Sequence, residues 1–190
     1  MLELILLLII IFLLFILSMV WPPNSPWAPW WRTNRETARA ICELAEITMS
    51  DLVYDLGCGD GTLIITAAKE YGAKVVGIEI DPLRFLSSMI RIIFNGLSSR
   101  VAVKRENFFN TDLSKATVVV VYLIPKTLNL LLPKFKKELK KGTRIVSYKY
   151  PLKLKVQKSP LRPRFAKASP GEQGFEGQAK VKNNLYLYII

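Results

Sequence analysis

Residues 53–61, Val-Tyr-Asp-Leu-Gly-Cys-Gly-Asp-Gly, constrain this chain more than any other stretch. An apolar run that closes on an acid and then alternates glycines predicts a strand reaching Asp55, a tight turn through Gly57, Gly59 and Gly61, and a helix over residues 62–71. Glycine turns freely, and without a Cβ it lets a ligand approach the main chain. The helix start behind the turn offers unpaired N–H groups. A second apolar run, residues 74–80, carries Glu79 at its end and is followed by Asp81 and Pro82. An acid at a strand end about twenty residues past the glycines can accept both hydroxyls of a ribose. Cys58 lies inside the turn and reads as a small apolar filler, because the chain has no histidine to activate it as a nucleophile.

Apolar runs and helical patterns alternate along the rest of the chain. Helices are expected over 36–46, 62–71, 83–94 and 127–139, and strands over 52–56, 75–80, 101–104, 117–123 and 143–147. The four consecutive valines at 118–121 require a strand covered on both faces, as in a parallel sheet. Residues 151–177 hold four prolines and several glycines, so a short strand over 152–156 should give way to a loop. A final strand over 185–190 has no helix before it and must pair antiparallel. The fold class is α/β with a mostly parallel, Rossmann-like sheet.

The N-terminus is a different material. Residues 4–20 carry no charge, and with Leu2 and Trp21 the run reaches about 20 residues, or ~30 Å of helix, enough to span a bilayer. It predicts one transmembrane helix over 1–21, followed by an interfacial Trp/Pro-rich linker over 22–32 and a domain over 33–190. Arg32, Arg35 and Arg39 put the positive flank C-terminal to the apolar run, which places the domain on the cytoplasmic side of the membrane. Residues 134–167 hold 13 Lys or Arg and one acid, so this segment accounts for the whole formal charge of +12. Behind an anchor its simplest partner is an anionic lipid surface, with nucleic acid as a weaker competitor. Two cysteines and no histidine exclude a disulfide framework, a His-based zinc site and any His-dependent triad, and no metal site is expected.

The pattern D-x-G-x-G-x-G, with Thr62 where a dinucleotide fingerprint has its third glycine, resembles motif I of the class I S-adenosylmethionine-dependent methyltransferases. Four more segments narrow the resemblance to the seven-β-strand protein lysine methyltransferases, which include the enzymes that methylate the c-ring protein of ATP synthase and archaeal relatives. Residues 33–45 look like the helix leading into motif I. Glu106-Asn107-Phe108-Phe109 is similar to the family's adenine-binding turn, with Asn107 in place of the usual acid. Residues 142–147 and 185–188 resemble its late strands, the last of them the reversed seventh strand. The resemblance implies S-adenosylmethionine as cofactor, bound by Thr33, Asp55, Gly57, Cys58, Gly59, Gly61, Glu79, Ile80, Asn107, Phe108 and Tyr122. Glu79 would hold the ribose, and Asp55 would position the turn and help bind the methionine end.

After the fourth strand the chain reads Tyr122-Leu123-Ile124-Pro125. Methyltransferases acting on amide or base amino groups commonly carry Asp/Asn-Pro-Pro-Tyr there, and the missing carbonyl-bearing side chain argues against adenine and glutamine targets. A lysine amine needs less help, since most of the rate can come from in-line alignment at near-attack distance. Tyr122 is the candidate that borders methyl transfer, with Tyr148 and Tyr150 as further wall. The expected activity is N-methylation of lysine on a protein substrate, possibly a membrane protein. The alternatives are a phospholipid or other membrane small-molecule N-methyltransferase, and a non-catalytic scaffold binding lipid or nucleic acid through 134–167.

Overall fold

The structure, a computed structural model, describes residues 2–20, 32–153, 179–181 and 184–190. Two helices, α1 (Leu2–Val20) and α2 (Arg35–Leu44), precede a βα series. The series runs β1 (Leu52–Leu56), α3 (Thr62–Tyr71), β2 (Lys74–Glu79), α4 (Pro82–Phe94), β3 (Val101–Arg105), β4 (Val118–Val121), α5 (Pro125–Glu138) and β5 (Arg144–Tyr148). The chain closes with β6 (Ala179–Val181) and β7 (Leu185–Ile189). All seven strands form one sheet in the order β3-β2-β1-β4-β5-β7-β6. The first five are parallel, while β7 runs antiparallel to both β5 and β6.

The central strands of the sheet are buried on both sides, and their sequence shows why. Side chains alternate between faces along a strand. Val118 and Val120 therefore join Val53 and Val146 under Ile41 of α2 and Ile64 of α3. Val119 and Val121 join Leu56 and Ile145 under Leu128, Leu131 and Phe135 of α5. Each such fully buried side chain contributes roughly 1.5–3 kcal/mol relative to exposure. Helix starts are fixed locally: Asn34 Oδ1 accepts from the Thr37 N–H at 2.7 Å, and Asp81 Oδ1 accepts from the Arg84 N–H at 2.9 Å ahead of Pro82. At the N-terminal ends of the strands, Asp51 pairs with Arg144 and accepts from the Thr117 hydroxyl at 2.7 Å, tying β1, β4 and β5 together.

Three expectations change. No strand is found at 151–153; Leu152 is instead buried, its N–H donating to the Tyr188 hydroxyl at 2.7 Å, and residues 154–156 lie outside the described residues. The antiparallel partner on the far side of β7 is β6, which the sequence does not lead one to expect. Among the described residues no helix is long and apolar enough to cross a membrane. The transmembrane helix expected over 1–21 is thus not found. The expected linker at 22–32 falls, except for Arg32, outside the described residues.

Gly77, in the middle of β2, packs under the glycine turn. A Cβ there would stand 2.8 Å from Cys58 Sγ and 3.0 Å from Ile64 Cδ1, inside contact distance. Gly77→Val should therefore cost on the order of 1–3 kcal/mol by overpacking. A lowered urea midpoint checks this, and an unchanged midpoint would contradict it.

Candidate active site

Sheets of this kind bind ligands beyond the carboxyl ends of the strands, where the strand order reverses. Here the reversal lies between β1 and β4, with β2 on one side and β5 on the other. The sequence candidates collect at those ends: Gly57, Cys58, Gly59 and Gly61 after β1, Glu79 and Ile80 at the end of β2, Asn107 and Phe108 after β3, Tyr122 after β4 and Tyr148 ending β5. Segments far apart in sequence are brought to one edge by parallel register alone.

The glycine turn is held by main-chain bonds. Gly57, Gly59 and Gly61 all have positive φ, at 96°, 57° and 80°. The N–H groups of Gly57 and Cys58 both donate to the Ile78 carbonyl, at 2.8 and 3.0 Å. Glu79 completes the arrangement: Oε2 accepts from the Gly59 N–H and Oε1 from the Asp81 N–H, each at 2.9 Å, with the carboxylate buried. Two oxygens offer about four acceptor positions, so two remain for further donors. At Gly57 a Cβ would meet, among the described residues, Leu123 Cδ2 alone, at 3.7 Å, an ordinary contact that leaves room above this residue.

Asp55 lies on the same sheet face as Glu79, opposite Gly77 in the register. It is buried, and no hydrogen bond reaches its carboxyl among the described residues. Burial first, then the charges of Glu79 and Asp60, push its pKa up to about 8. A buried acid in this state is short of a cation. Cys58 is also buried and its thiol is pushed well up by burial and then by Asp55 and Glu79, which agrees with a packing role and not a nucleophile.

Asn107 turns inward on its own loop: Oδ1 accepts from the Phe109 N–H at 3.0 Å, and Phe108 is buried with its ring 4.9 Å from that of Phe109. Tyr122 and Tyr148 follow paired residues of β4 and β5, and their rings stand 4.5 Å apart at 59°. Burial raises the Tyr122 pKa, opposed by neighbouring Lys149, which hydrogen-bonds it. Thr33, half-buried, precedes the α2 cap, and its neighbour Arg32 reaches Asp60 of the glycine turn at 3.0 Å.

Sequence reasoning missed the clamp on that turn. Asp60 is held by Arg32 and by Arg91 of α4, at 2.9 Å, while Arg91 also donates to the Asp60 carbonyl at 2.6 Å. Nothing local marks Arg91, since its partner lies 31 residues away. Lys149 was missed too; it sits beside Tyr122 with φ of 72°.

Residues 55–158 match the model of the ANTKMT methyltransferase domain, more than half of the chain. The chain belongs to that family. It is an S-adenosylmethionine-dependent methyltransferase with the class I fold. Over 136 residues it is 41% identical to a protein-lysine N-methyltransferase of Saccharolobus islandicus, covering 71% of this chain and 83% of that protein. It is 29% identical over 100 residues to the ATP synthase c-subunit lysine N-methyltransferase of Xenopus laevis, covering 53% of this chain but 44% of that one. Among solved structures it resembles an RNA methyltransferase from Salinibacter ruber in complex with S-adenosyl-L-homocysteine, with a TM-score of 0.68 and 28% identity over 84% of this chain and 94% of that one.

The site's donor set suits the family's cofactor. A turn open above Gly57, the acceptor capacity left on Glu79 and an Asp55 carboxyl short of a cation complement an adenosine carrying an amino-acid tail.

Proposed function

We propose that this methyltransferase N-methylates lysine side chains of a protein substrate. The observation that carries the reading is the 41% identity to a protein-lysine N-methyltransferase across 71% of the chain. The site chemistry agrees with it. When bound, S-adenosylmethionine supplies a methyl group activated on a sulfonium. Glu79 would hold the ribose through acceptor positions not used by Gly59 and Asp81, and Asp55 would pair with the amino group of the methionine end. Thr33, Cys58, Ile80, Asn107 and Phe108 would complete the cofactor wall. Tyr122 and Tyr148 would form an aromatic wall that excludes water and aligns the incoming amine.

Tyr122→Ala should lower kcat on the order of 10²-fold through lost alignment. Tyr122→Phe keeps the ring and should retain most of the turnover, because the hydroxyl is already engaged by Lys149. Steady-state kinetics on both variants checks this; wild-type kcat in the alanine variant would remove Tyr122 from the site.

The division into 1–21, 22–32 and 33–190, and a membrane-held location with the domain toward the cytoplasm, belong to the same proposal. Their support is the uncharged run at 4–20, its exposed side chains over 4–14, and Arg32, Arg35 and Arg39 behind it. Release of the full chain from membranes by alkaline extraction would contradict them. A tethered enzyme meets membrane-protein substrates at raised local concentration.

The activity is tested by labelled methyl transfer from S-adenosylmethionine into cell fractions. Label in delipidated protein is expected. Label confined to the lipid extract would make this a lipid N-methyltransferase, and label confined to RNA would align it with the Salinibacter enzyme.

A further inference from the structure

Helix α4 carries more apolar surface than its packing uses. Only Ser88 and Ile92 of the helix are buried. Leu83, Leu86, Met89, Ile90, Ile93 and Phe94 remain 38–86% exposed, most of all Phe94. Leu83, Leu86, Ile90 and Ile93 recur at i, i+3, i+7 and i+10, which places them on one helical face. The apolar helix α1 already touches α4, so these exposures persist with α1 in place. Contiguous exposed apolar surface of this extent marks an interaction site.

Charge says what the partner is. Residues 82–105, covering α4 and the sheet-edge strand β3 packed beside it, hold Arg84, Arg91, Arg100, Lys104 and Arg105 and no acid. Lys104 and Arg105 are exposed. Arg91 is paired with Asp60, but the exposed Lys104 and Arg105 on the strand packed beside α4 complement an anionic bilayer, whose interface takes apolar side chains below a negatively charged headgroup layer. A second copy of the same face would instead bring like charges together.

We propose that the outer face of α4 docks the catalytic domain on an anionic lipid bilayer, with Leu86, Ile90, Ile93 and Phe94 at the boundary of headgroups and acyl chains. The contact belongs to the domain itself. It is independent of the substrate reading and of whether α1 spans the bilayer or lies on it.

The two native cysteines are buried, so a thiol at an exposed position accepts an environment-sensitive fluorophore selectively. The full chain is labelled as Phe94→Cys or, as control, as Lys137→Cys on α5, which covers the opposite face of the sheet. Vesicles of phosphatidylcholine with phosphatidylglycerol should shift the emission at 94 to the blue and leave that at 137 unchanged, and the shift should shrink with phosphatidylcholine alone. An unshifted label at 94 on protein that floats with the vesicles overturns the proposal, as does a failure to float. Equal shifts at both positions also overturn it, by showing unoriented adsorption. A blue shift without lipid that grows with protein concentration overturns it in favour of a second copy.

Discussion

Glu79→Ala should weaken S-adenosylmethionine binding by roughly 1.5–3 kcal/mol, about tenfold to more than a hundredfold, the range for losing a charged hydrogen-bond acceptor in a buried site. The effect has two sources. One is the lost acceptor for the ribose. The other is internal, since the carboxylate receives the N–H groups of Gly59 and Asp81 at 2.9 Å each and so shapes the turn before any ligand arrives. Removing it leaves two buried donors without partners, which should also lower the unfolding midpoint. Glu79→Gln keeps one acceptor oxygen but sets an NH2 against the other donor, so it should fall between wild type and alanine. Calorimetric titration with cofactor measures the affinities, and an unchanged value in the alanine variant would remove Glu79 from the cofactor site.

Asp55→Asn should move stability and cofactor affinity in opposite directions. Burial, reinforced by Glu79 and Asp60, raises the folded-state pKa of Asp55 from an ordinary 3.8 to about 8. Between these values the folded chain keeps a proton that the unfolded chain releases, so the ligand-free protein loses stability as pH rises from about 4 to about 8. Asparagine cannot ionise and avoids that loss. The variant's advantage should be absent below pH 4, grow through the window and level off above pH 8, reaching on the order of a few kcal/mol. Cofactor affinity should show the converse. The wild-type carboxylate, once ionised, meets the amino group of the methionine end, so its affinity should rise with pH toward 8, whereas the asparagine variant should bind weakly at every pH. Thermal unfolding across pH, with and without cofactor, reads both effects. Equal pH profiles in the two proteins would contradict the assignment.

The residues that were legible in the sequence act through local geometry. Alternating glycines after an acid can do little else but turn, and all three adopt positive φ. The four valines could only be a strand covered on both sides, and both cores claim them. What stayed illegible depends on contacts distant in sequence. Gly77 reads as an unremarkable strand residue until Cys58 and Ile64 are seen to fill the place of its side chain. Arg91 looks like a surface cation until it reaches across 31 residues to Asp60. The three-residue strand β6 is too short to show a period. Glu79 is legible as an acid closing β2, but its bonds to Gly59 and Asp81 depend on where the turn and the next helix lie in space.

Lysine as the methyl acceptor is tested most directly by the chemical identity of the methylated product. Protein labelled by the full chain from S-adenosylmethionine carrying a labelled methyl group is hydrolysed to amino acids and separated against standards. Label should co-migrate with methylated lysine and be lost with the Gly57→Arg enzyme, where an arginine at φ of 96° would fill the space above the turn. Label on any other amino acid, with none on lysine, would contradict lysine as the acceptor.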